Sequence, residues 1–203
     1  MHDEILTEEQ RGLLPIIARF KKEFGLVGGT AIALHVGHRE SIDFDLFTKK
    51  EFGNLSLQRQ IEAMRHIDKV VRSKEGEFTF LIGSVQFTFF QYPFAIDFSE
   101  TFDTVARIPT LLTLAAMKAY ALGLRAKWKD YTDLYFIMRD YHPLADIVKQ
   151  AESVFAGSFN EKLFRQQLAY FEDINYAEPI VFKPGFETPD EEIRHALTEY
   201  SLA

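Results

Sequence analysis

The hydrophobic period of this chain changes once, near Pro109, and that change constrains the fold more than any other feature. Before it, short apolar runs alternate between helical and strand spacing. From Thr110 onward the spacing is helical, apart from the Pro- and Gly-broken segment from Glu178 to Pro189. The expected class is α+β: an α/β-type half at residues 1–109 with a short mixed sheet, then a helical half at 110–203 packed across a cleft.

Within the first half, Thr7 to Phe24 reads as an amphipathic helix with Thr7 as its cap and Leu13, Leu14, Ile16, Ile17 and Phe20 on one face. Phe24 to Val27 reads as a buried strand ending at Gly28-Gly29. Thr30 to Val36 is a helix stopped by Gly37, and Leu55 to His66 another. Lys69–Ser73, Phe78–Leu81 and Val85–Gln91 form an antiparallel meander, with turns at Gly76 and Gly83-Ser84, and Val105–Ile108 adds an edge strand.

Composition excludes several classes. There are 20 phenylalanines and 47% hydrophobic residues, too many for a disordered chain. Cysteine is absent, which rules out disulfides, thiolate metal sites and a cysteine nucleophile. No apolar run approaches bilayer length, and Met1-His2-Asp3-Glu4 lacks a signal-peptide pattern, so a cytoplasmic protein without membrane association is expected. A net charge of −7 argues against a chain that coats nucleic acid. Local basic groups exist, at Arg19, Lys21 and Lys22 and from Lys118 to Lys129, and charge alone reads these as solvated surface.

Chemistry concentrates in Gly28-Gly29-Thr30 and in Ser41-Ile42-Asp43-Phe44-Asp45-Leu46-Phe47. Alternation along a strand sends Asp43 and Asp45 to one face and Ile42, Phe44 and Leu46 to the core. Two adjacent carboxylates repel unless a cation lies between them. Mg²⁺ is held in this way, through one or two carboxylates plus substrate phosphates. Glycines at 28 and 29 allow close backbone approach, and the Thr30 amide and hydroxyl at a helix start form a phosphate seat. Each motif alone is commonplace; together, in this order, they point to phosphoryl or nucleotidyl transfer. Arg39 either steadies the acids or binds a phosphate, or else is a surface arginine paired with Glu40. His35 and His38 match no zinc set and read as structural.

The stretch from Gly28-Gly29-Thr30 through Ser41 to Asp43-Phe44-Asp45 resembles the signature of the nucleotidyltransferase (DNA polymerase β-like) superfamily. It is most similar to the AbiEii/AbiGii-type toxins of type IV toxin–antitoxin and abortive-infection systems. The resemblance implies that Asp43 and Asp45 bind Mg²⁺ or Mn²⁺, and that Gly28, Gly29, Thr30, Arg39 and Ser41 hold a nucleoside triphosphate. It extends to Lys118 and Lys129-Asp130-Tyr131-Thr132-Asp133, read as one continuous helix with Lys118, Arg125, Lys129 and Asp133 along a stripe. By resemblance Lys118 and Lys129 offset triphosphate charge, while Asp130 or Asp133 orients them or approaches the metal. One departure stands out: Val85–Gln91 carries no third carboxylate, leaving Asp97, Asp130, Asp133 or water as the acceptor's base.

The implied reaction is transfer of a nucleoside monophosphate from a nucleoside triphosphate to a hydroxyl, with tRNA as acceptor and an antitoxin protein as partner. A small-molecule or protein acceptor, a catalytically silent nucleotide-binding module, and a structural protein with a fortuitous motif are the alternatives.

Overall fold

Thr7 starts the first helix through a reciprocal cap: the Gln10 amide donates to Thr7 Oγ1 at 3.2 Å and the Thr7 amide donates to Gln10 Oε1 at 3.1 Å. In the computed structural model, which describes residues 1–203, this helix is α1 (Glu8–Phe20), and its buried face carries Leu13, Ile16, Ile17 and Phe20. It stops four residues short of Phe24. β1 (Gly25–Val27) leads straight into α2 (Gly28–Val36), which Gly37 ends in the left-handed region at φ +76°. β2 (Phe44–Thr48) and α3 (Asn54–Glu62) follow, then β3 (Lys69–Lys74), β4 (Glu77–Ile82) and β5 (Val85–Gln91).

These strands form one five-stranded sheet in the order β1-β2-β5-β4-β3. β3, β4 and β5 are the expected antiparallel meander, but β2 and β5 pair in parallel, with Asp45 opposite Thr88. The excursion through α3, β3 and β4 returns the chain beside β2, so the acid strand lies inside the sheet. The expected edge strand is β7 (Ala106–Ile108). It pairs with β6 (Glu100–Phe102), an unforeseen strand, in a separate two-stranded sheet. Three residues each are too few to show a strand period.

The helical half contains α4 (Leu111–Leu122), α5 (Trp128–Asp140), α6 (Leu144–Phe155), α7 (Glu161–Leu168) and α8 (Asp190–Leu202). The single helix expected across Lys118 and Asp133 is in fact two, broken at residues 123–127. That break is tied down from outside: the Asn175 amide donates to the Ala126 carbonyl at 2.8 Å and the Trp128 amide to the Asn175 carbonyl at 3.2 Å. No helix is long and apolar enough to cross a membrane.

One core of 46 buried residues spans both halves, so residue 109 divides secondary-structure types and not hydrophobic cores. Its centre is aromatic. Phe44, Phe78, Phe80, Phe87 and Phe89 are wholly buried, and Phe80 stacks on Phe87 with ring centroids 5.2 Å apart. Ile42 departs from expectation. It lies before β2 begins, and its side chain is 43% exposed.

Phe89 meets the edges of Phe20 and Phe24 and stacks near Phe80. Phe89→Ala is expected to lower the unfolding free energy by about 3–5 kcal/mol, the usual cost of emptying an aromatic core site. Urea denaturation checks this; a loss below about 1 kcal/mol would mean that the core collapses around the gap.

Candidate active site

The glycine turn and the acid strand meet too closely for any side chain at position 28. Gly28 sits at φ +73°, and a Cβ there would lie 2.2 Å from Asp45 Oδ2. A Cβ on Gly29 would lie 2.7 Å from Arg39 Nη2. Glycine is thus required twice, for backbone conformation and for contact with the residues that follow α2. Thr30, by contrast, is buried. Its hydroxyl contacts the Asp43 carbonyl and lies 3.0 Å from Ser41 Oγ, so it pins the entry to β2 instead of facing a phosphate. Gln10 reinforces that entry, its buried amide donating to the carbonyls of Ser41 at 2.8 Å and Ile42 at 3.0 Å.

Asp43 and Asp45 both line a cleft of about 410 Å³, with Gly28, Gly29 and Ser41 beside them. Burial raises the carboxyl pKa of Asp43, against the pull of the Gln86 amide and Lys129. Burial and then the charge of Asp43 push Asp45 from 3.8 up to about 6, despite Lys118 and Arg125. The cations around the pair therefore do not offset its burial and mutual repulsion. No group of three metal-ligating side chains occurs. The β5 side chains facing the cleft are Gln86, Thr88 and Phe90, none of them ionisable. Asp97 is exposed in the loop before β6 and does not line the cleft.

Opposite the acids stands Lys118 on α4, only 7% exposed. Its ammonium bonds to Asp130 and lies 3.0 Å from Asp133 Oδ2, both on α5. The break between α4 and α5 is what allows these groups to face each other. Asp133 is fully buried and also accepts from Arg39 Nε at 2.7 Å, Arg39 Nη2 at 2.9 Å and His38 Nε2 at 2.8 Å. Burial alone would raise its pKa. The charges of Arg39 and Lys118 overcome that and hold Asp133 well below the usual range. Burial lowers the pKa of His38, so the neutral ring donates from Nε2, leaving Nδ1 buried without a partner.

Arg39 is therefore neither a surface arginine nor aimed at the acid pair. It is 1% exposed and grips Asp133 with two bonds. Its Nη1 donates to the Glu40 backbone carbonyl, while the Glu40 carboxylate pairs with Lys183 at 3.2 Å. Lys129 does line the cleft, but on a different helix from Lys118, and it pairs with Glu178 at 2.9 Å. Sequence reading did not single out Gln10 or Glu178 and gave His38 only a structural role. It also missed an aromatic wall of Phe47, Phe90, Tyr92 and Tyr120 along the same cleft. The reciprocal cap was the only available signal for Gln10, and it says nothing of the contact with Ser41.

The fold is that of solved nucleotidyltransferases. A putative nucleotidyltransferase from Helicobacter pylori shares the fold over 97% of this chain and 94% of its own, with a TM-score of 0.60 at 14% identity. MenT4, a nucleotidyltransferase toxin from Mycobacterium tuberculosis H37Rv, does so over 95% and 80%, with a TM-score of 0.64 at 12% identity. Residues 16–101, which carry the glycine turn and the acid pair, match the family described as nucleotidyl transferase AbiEii toxin of type IV toxin–antitoxin systems. An uncharacterised protein of Aquifex aeolicus (strain VF5) is 31% identical over 205 residues, covering 96% of this chain and 97% of that relative. The chain belongs to the AbiEii nucleotidyltransferase family.

Because the folded state raises the Asp45 pKa, the folded protein binds more protons than the unfolded chain between about pH 4 and 6. Metal-free protein should thus lose stability as pH rises through that window. Asp45→Asn should remove the loss and stabilise the protein near pH 7 by on the order of 2–3 kcal/mol. Thermal unfolding in chelator across pH 4–8 checks this. Parallel wild-type and variant curves would show that Asp45 is not strained by its neighbour.

Proposed function

We propose that the protein transfers a nucleoside monophosphate from a nucleoside triphosphate to a hydroxyl at the end of tRNA, releasing pyrophosphate, with divalent metal, as the toxin partner of an antitoxin protein. One observation carries this reading: Asp43 and Asp45 face Lys118 across one cleft, beside a turn where only glycine fits. Asp43 and Asp45 would hold Mg²⁺ or Mn²⁺, which supplies charge neutralisation to the reacting phosphate. The amides at Gly28 and Gly29 seat triphosphate oxygens, and Ser41 borders them. Lys118, fixed by Asp130 and Asp133, offsets charge that develops as pyrophosphate leaves. Arg39 and Asp133 act by holding Lys118 in place, and Lys129 supplies further positive charge at the cleft. Asp130 is already engaged by Lys118 and, at 3.2 Å, by Arg125. The acceptor proton then leaves to water. Such chemistry belongs where nucleotides and tRNA are, in the cytoplasm.

A second reading is favoured by Gln86 and Thr88 standing where a third carboxylate would face the pair: a silent module that binds nucleotide without transfer. The net charge of −7 favours small-molecule or protein acceptors over RNA.

Label transfer from each α-³²P nucleoside triphosphate to total tRNA, with Mg²⁺, separates these readings. Wild-type protein should label tRNA, and Asp45→Ala should not. Lys118→Ala should lower kcat by about 10²-fold or more with a smaller change in KM. Pyrophosphate release in cell extract without labelled tRNA would assign another acceptor, and nucleotide binding without pyrophosphate release would establish the silent module.

A further inference from the structure

The segment between α7 and α8 is strapped across the mouth of the cleft. It is anchored at one end by Asn175 on the α4–α5 break. At the other end the Glu40 amide donates to the Val181 carbonyl at 2.9 Å and the Lys183 amide to the His38 carbonyl at 3.0 Å. Between these anchors Glu178 reaches into the cleft, where Oε1 accepts from Lys127 Nζ at 2.7 Å and Oε2 lies 2.9 Å from Lys129 Nζ. All the cleft's cations are thus occupied in the free protein. Lys118 and Arg125 belong to Asp130, and Lys127 and Lys129 belong to Glu178.

The two sets differ in how readily they open. Lys118 and its carboxylates are buried, so parting them would strand charges in the interior. The Glu178 carboxylate is 44% exposed and its lysines 40% and 25%, so water can take over each charge. Hydrogen bonds from Lys127 and then Lys129 hold the Glu178 carboxyl at about 2, so protonation does not release it near neutral pH. Another anion can do so by taking its place on the lysines. Lys127, Lys129 and Glu178 line the same cleft as Asp43 and Asp45.

We propose that Lys127 and Lys129 form a phosphate site that Glu178 fills in the free protein and surrenders to the triphosphate of the incoming nucleotide. This rests on the nucleotidyl-transfer reading and adds a competitor built into the chain. While Glu178 is seated, acidic and basic groups in the cleft balance, so a polyanion meets little attraction. Once it is displaced, two lysines become available beside the acid pair. The triphosphate, and not an RNA phosphate, fits this place because the exchange occurs next to Asp43.

The test is calorimetric titration, with Mg²⁺, of α,β-methylene analogues of the four nucleoside triphosphates, of inorganic tripolyphosphate and of total tRNA. Glu178→Gln should tighten nucleotide and tripolyphosphate binding by roughly two- to fivefold, the upper part of the range of an exposed ion pair. Glu178→Asp should fall between that variant and wild type, and joint Lys127→Ala and Lys129→Ala should weaken binding. Thermal melts without ligand confirm that each variant is folded. The inference is overturned if wild type binds nucleotide while Glu178→Gln binds it equally or more weakly. It is overturned too if only tRNA binding tightens. If no variant and no wild-type protein binds nucleotide or tripolyphosphate, the nucleotidyl-transfer reading falls and this inference with it.

Discussion

The carboxylate of Asp133 is the contact on which the candidate site depends. It lies fully buried on α5 and receives His38 and Arg39 from the α2–β2 connection and Lys118 from α4. The Arg39 and Lys118 cations would each be costly to bury alone, and so would the carboxylate. Together they lock three parts of the chain in one arrangement. The same bonds that join the α/β half to the helical half set the position of the Lys118 ammonium across from Asp43 and Asp45. Stability and the geometry of the site are therefore one problem for this fold.

Charge is distributed unevenly in the free protein. The acid pair has no adequate cation, which is why Asp45 is pushed up to about 6. The cations opposite already have anions. On the proposed reading, a metal ion brought with a triphosphate would be held by the acids while its phosphates were met by the lysines. A match to a metal-bound polyphosphate would then be a physical source of selectivity.

The parts legible in the sequence were those set by local rules. The Thr7 cap started α1, Val85–Gln91 was a strand with the boundaries expected, and Asp43 and Asp45 line one cleft although Asp43 precedes β2. What was not legible depends on groups distant in sequence. The break at 123–127 is held by Asn175, so Lys118 and Asp133 looked like neighbours along one helix when they face each other across two. Arg39 reads as a loop arginine until Asp133 arrives. Glu178 lies in a Pro-broken stretch with no period at all, and only the fold brings it to Lys127 and Lys129. Ile42 failed the alternation rule because the strand begins two residues later, at Phe44.

The most direct test of the central claim is a crystal structure of the protein with a non-hydrolysable nucleoside triphosphate and Mn²⁺, located by anomalous scattering. The expected result is an anomalous peak between Asp43 and Asp45, with the triphosphate running from the Gly28-Gly29 turn toward Lys118. A nucleotide bound elsewhere, or a metal peak away from both carboxylates, would contradict the assignment of this cleft as the site of transfer.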